Sequence, residues 1–121
     1  MNKQIKARWV RALRSGKYKQ GKEALHQDGQ YCCLGVLCDI SGVGKWEVCR
    51  HVVGEQYVTG QWASFTRLTP QVMDWAGLKS LSGDLHMELM GIPDCSLVYL
   101  NDQGESFETI ANVIEEHWEK L

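Results

Sequence analysis

From Cys33 to Ile40 the chain reads CLGVLCDI, with Asp39 as its one charge and apolar residues almost throughout. A run without a polar face carries no clear period, so its length admits a buried strand or a short buried helix. Leu34, Leu37 and Cys38 fall at helical spacing, and Gly35 leaves room for close packing, which together favour the helix. A chain of 121 residues has room for one domain, 1–121. A chain of that size can bury about 65% of its unfolded surface, enough for a core without disulfide or metal staples.

Around this segment the local signals are clearer. Residues 2–14 place Ile5, Trp9, Ala12 and Leu13 on one helical face, and Ser15-Gly16 ends the pattern. Asp28-Gly29, flanked by strand-type residues, predicts a hairpin. Residues 41–66 alternate glycines with β-formers (Trp46, Val48, Val52, Val53, Tyr57, Val58, Trp62, Phe65), which predicts two or three short strands. Thr69-Pro70 opens a helix that Gly77 stops, and residues 84–90 suit a strand or a helical turn. Residues 96–100, the turn 101–104 and residues 106–118, capped by Ser106, read as helix, turn, helix. The expected fold is α+β: an N-terminal helix, a central hairpin and small antiparallel sheet, and a C-terminal αα-hairpin closing over it.

Charge is unevenly distributed. The net charge is -2, too low for the positive excess that drives nonspecific nucleic-acid binding. Residues 1–25 nevertheless carry eight Lys or Arg against Glu23, whereas residues 101–121 carry six acidic residues against Lys120. Two such ends attract each other within or between subunits, or the basic end holds an anionic ligand.

Several chemistries can be weighed from spacing. Cys32, Cys33, Cys38, Cys49 and His51 lack the two close pairs of a structural zinc site, and the five cysteines read as reduced, mostly buried thiols; no metal or cofactor is expected. Asp94 to Val98 (DCSLV) resembles the Asp-Cys-Ser-Gly-Leu-Val helix start of a family of cysteine peptidoglycan hydrolases. That resemblance implies Cys95 as nucleophile, but here the Gly is absent and His117 is the one histidine that follows. Gly104 to Ala111 has the sound of a first DNA-binding helix, yet the acidic EEHWEKL after it holds no recognition helix, so no DNA partner is expected. No phosphate-loop, dinucleotide or zinc-protease motif is present, and no apolar run of membrane-spanning length or apolar signal segment occurs.

Basic and aromatic residues interleave near the start. Arg11, Arg14, Lys17 and Lys19 lie close to Trp9 and Tyr18, with Arg67 beside Phe65 further on. Guanidinium and ammonium groups pair with phosphates, and the rings can stack on a base.

Three blocks carry a broader likeness. WVRALRSGKYKQGKEALHQDGQYCCLGVLCD (9–39), LTPQVMDWAGL (68–78) and LNDQGESFETIANVIE (100–115) resemble a widespread, largely uncharacterised family of small tailed-bacteriophage and prophage proteins. The resemblance implies a bacteriophage source, expression in the cytoplasm of the infected bacterium, and no known catalytic motif. By analogy with small phage proteins that act by occupancy, the expected function is non-enzymatic counter-defence. The chain, as a possible homo-oligomer, would sequester a nucleotide-type immune signal such as a cyclic nucleotide or cyclic ADP-ribose. Arg11, Arg14 and Lys17 are the expected phosphate partners, Trp9 or Tyr18 the stacking ring, and Gln20 or Asn101 the base or ribose partner. The alternatives are a phage inhibitor that binds a host protein through Trp46, Tyr57 and Trp62, and a hydrolase using Cys95.

Overall fold

Helix α1 (Lys3–Arg14) starts where the Asn2 side chain accepts the backbone N–H groups of Gln4 and Ile5, and it buries Ile5, Trp9, Val10 and Leu13. The computed structural model describes residues 1–51 and 53–121. Val52, expected among the strand-forming residues, lies outside the described residues.

Beyond α1 come β1 (Lys19–Gln20), β2 (His26–Gln27) and β3 (Gln30–Tyr31). Strands β2 and β3 form the expected hairpin, and Asp28 (φ 53°) and Gly29 (φ 75°) both take the positive φ of a type I′ turn. The apolar block is the helix α2 (Cys33–Ser41), whose residues 33–38 are all buried. Gly35 is required there, because a Cβ would stand 1.9 Å from the Leu25 carbonyl oxygen.

Strands β4 (Lys45–Val48), β5 (Glu55–Thr59) and β6 (Trp62–Ser64) follow, then α3 (Pro70–Ala76), capped by Thr69. Residues 84–90 form neither predicted element. They are tied by isolated bridges, Asp84 with Ser96 and Leu89 with Ile92. Helix α4 (Leu97–Asp102) extends two residues into the expected turn, and α5 (Phe107–His117) starts on the Ser106 cap, ending in a 3-10 turn over Trp118–Lys120.

The sheet runs β1-β3-β2-β5-β4, with β6 also paired to β5. It is mixed rather than antiparallel, because β1 pairs parallel to β3. A two-residue strand carries too little pattern to be read in advance. The C-terminal helices are also placed differently from the expectation: α5 packs chiefly on α1 and α4 on α2, so the αα-hairpin closes on the helical layer rather than over the sheet. Helix α2 is the hub, in contact with α1, α3, α4 and β3. The sheet's inner face meets its C-terminal end. Trp46 Nε1 donates to Asp39 Oδ1 (3.0 Å) and the Tyr57 hydroxyl lies 3.1 Å from Ser41 Oγ.

Candidate functional site

Helix α1 has no acidic residue, and its cations divide between two sides. On the side facing α5, Lys6 pairs with Glu115 (3.2 Å), while Arg14 reaches Glu108 and Glu115 (both 3.3 Å) and donates to Asn112 Oδ1 (2.6 Å). The attraction between the two charged ends is therefore satisfied within one chain for these residues. Arg14, expected to meet a phosphate, instead ties α1 to α5.

On the other side lies a groove of about 260 Å³ lined by Arg8, Arg11, Ala12, Ser15, Lys17, Tyr18 and Ile40. Among the described residues Arg8, Arg11 and Lys17 form no ion pair. The Arg8 guanidinium donates once, to the Ile40 carbonyl (3.0 Å), and lies 5.6 Å from the Trp75 ring centre, leaving further donors uncommitted. Lys17 Nζ lies 5.5 Å from the centre of the Tyr18 ring.

Tyr18 is held in place from beneath. Its hydroxyl donates to Asp39 Oδ2 (2.5 Å), and its ring meets Tyr31 edge to face at 5.0 Å. Burial, reinforced by the Asp39 carboxylate, pushes the Tyr18 hydroxyl above its ordinary range, so it stays neutral and a donor. Behind Tyr31 the cluster continues: His26 stacks on it (4.0 Å, 11°) and contacts the Glu55 carboxylate, and Trp46 packs edge-on to both His26 and Tyr31. One side chain of α2, Asp39, thus fixes two rings from different parts of the chain.

Of the seven expected ligand residues, the structure brings Arg11, Lys17 and Tyr18 together at this groove. The other four are engaged in contacts within the fold. Trp9 is fully buried, with Nε1 donating to the Cys33 carbonyl (3.0 Å), so its ring cannot stack on a ligand. Asn101 is also fully buried: Oδ1 accepts from Cys33 N–H (3.1 Å) and Gln20 Nε2 (3.0 Å), and Nδ2 donates to the Gly21 carbonyl (2.8 Å). Gln20 further donates to the Glu105 carbonyl (2.7 Å) and accepts from Phe107 N–H (3.0 Å), which commits its carboxamide to the fold. Arg14 is committed to α5 as described.

Two contributors were missed in the sequence. Arg8 sits three residues before Arg11, so helical spacing alone could have placed the two on neighbouring positions. Asp39 left no such signal, because its contacts with Tyr18 and Trp46 are long-range.

The alternative sites are changed as well. Cys95 is buried and burial pushes its thiol up, the opposite of an activated nucleophile, while His117 Nε2 faces Glu116 (3.8 Å) from the end of α5. Cys32, Cys33 and Cys38 are buried at and within α2, and burial raises their thiols. No group of three His, Cys, Asp or Glu among the described residues is placed to hold a metal ion. Of the expected protein-contact residues, Tyr57 is buried and Trp46 half-buried beneath the sheet; Trp62 is exposed. Arg67 lines a separate small cavity beside Trp62 and Leu81, away from the groove residues.

Fold and site define a small α+β domain with a basic, tyrosine-walled groove beside its first helix. The chain belongs to the family described as Domain of unknown function (DUF8296), whose model matches residues 1–118. No curated protein and no solved structure matches it. Among the described residues no helix is long and apolar enough to cross a membrane.

Proposed function

We propose that this chain is a non-enzymatic binding protein that holds a small anion of nucleotide type in the groove between α1 and Tyr18. The observation that carries the reading is that Arg8, Arg11 and Lys17, without acidic partners among the described residues, line one groove together with an anchored tyrosine ring. The phosphate would meet the Arg11 and Lys17 side chains, and the base would stack on Tyr18 once Lys17 swings from the ring to the phosphate. The likeness to small phage proteins supports a biological role in the infected bacterial cytoplasm: sequestering a nucleotide signal of host defence.

Native mass spectrometry of protein made in bacteria with an active nucleotide-signalling defence tests this directly. One extra nucleotide mass per chain, lost on denaturation, supports the reading. Calorimetric titration with cyclic mononucleotides should then show affinity reduced about hundredfold in the Arg11→Ala, Lys17→Ala double variant, from two lost charge-assisted contacts. Arg14→Ala should leave affinity unchanged. A bare mass together with no heat of binding would overturn the assignment. A second reading, docking of a host protein on the sheet, rests on Trp62 being 55% exposed and Val48 80% exposed. It gains if the groove proves empty and Trp62→Ala abolishes binding of an isolated host protein.

A further inference from the structure

Strand β4 ends the sheet order, and among the described residues its outer edge pairs with no other strand. Its N–H and C=O groups on that edge form a template for another strand. Register with β5 places Trp46 opposite Tyr57 and Lys45 opposite Val58, so Trp46 and Val48 share the inner face while Lys45 and Glu47 share the outer one. Lys45, Glu47 and Val48 are exposed, and neither Lys45 nor Glu47 forms an ion pair among the described residues.

We propose that two copies of this chain pair antiparallel through β4, about a twofold axis centred on Trp46. The charge pattern selects both the occupant and the register. Two inner faces can join on one side only if the axis passes through a residue. Centred on Lys45, the pairing sets lysine against lysine; centred on Glu47, it sets glutamate against glutamate. Centred on Trp46, it sets Lys45 opposite the partner's Glu47, and by symmetry does so twice. Opposite charges directly across an antiparallel pair attract, and like charges there repel. The same twofold register sets the exposed Val48 opposite Gly44 of the other copy, just before its β4, and extends one sheet across both copies.

Sedimentation equilibrium of the full chain over a micromolar concentration series should show a reversible monomer–dimer equilibrium. Lys45→Glu and Glu47→Lys each turn both attractive pairs into repulsive ones, weakening self-association about tenfold. An equimolar mixture of the two single variants should restore the dimer as a heterodimer, because every facing pair is again of opposite sign. The double variant K45E/E47K should restore the homodimer. A wild-type chain that stays monomeric, single variants that still dimerise normally, or a mixture that does not recover would each overturn the proposal. Recovery on mixing cannot arise from a folding defect. Because β4 lies outside the groove, the outcome is independent of whether the groove binds a nucleotide.

Discussion

Asn101→Ala separates a residue that holds the fold together from one that meets a ligand. The carboxamide is fully buried and ties α4 to two other segments: the Cys33 N–H at the start of α2, and the adjacent Gln20 side chain and Gly21 carbonyl at β1. Alanine strips the Cys33 N–H of its acceptor, and a first-turn N–H has no partner within its own helix to fall back on. A buried donor left without a partner costs about 1–3 kcal/mol. The Gly21 carbonyl loses its donor at a smaller cost, since a carbonyl has a second lone pair to place, and Gln20 keeps its bond to the Glu105 carbonyl. Together these losses come to about 3 kcal/mol, a large part of a domain stability on the order of 10 kcal/mol. Urea unfolding followed by far-ultraviolet circular dichroism should show that loss, and the thermal midpoint should fall by about 10 °C. Nucleotide affinity, measured where the variant remains folded, should be unchanged. A loss below about 1 kcal/mol accompanied by weakened ligand binding would refute the reasoning and return Asn101 to the ligand site.

Gly35→Ala sets a methyl 1.9 Å from the Leu25 carbonyl oxygen, so backbone has to move; a destabilisation of about 3 kcal/mol or more is expected, and a urea midpoint near that of the wild type would show that α2 can shift away from Leu25. Burial raises the Cys32 thiol from 9.0 to about 11. The unfolded chain then ionises first and binds fewer protons, so stability is fully present below 9.0 and is lost as pH rises from there towards 11. Urea midpoints that stay flat across that window would contradict a protonated, desolvated thiol. At neutral pH a thiol-specific chromogenic reagent should modify Cys49 quickly in the folded protein and the four buried cysteines only after unfolding.

The elements legible in the sequence are those whose causes lie within a few residues. Thr69 and Ser106 cap helices with their own side chains, Asp28-Gly29 supplies a two-residue turn, and the uniform apolarity of CLGVLCDI marks a buried segment before any partner is known. Strand β1 was not legible, because its two residues gain their strand character from pairing parallel with β3. Among the candidate ligand residues the same division appears. Chemistry singled out Trp9, Arg14, Gln20 and Asn101 as ligand partners, but an indole, carboxamide or guanidinium suited to a ligand is equally suited to the chain's own backbone and carboxylates. Apart from Asp102 next to Asn101, their partners stand 24 to 101 residues away, as with Trp9 and Cys33 or Arg14 and Glu115. The sequence by itself determined the helices, the hairpin, the buried block and the excess of cations on the first helix, since each follows from local sterics, capping and hydrophobic period. Only the tertiary structure decided which cations α5 neutralises and which remain at the groove. Ion pairing depends on where α5 packs against α1, and that placement follows from burying both apolar faces together.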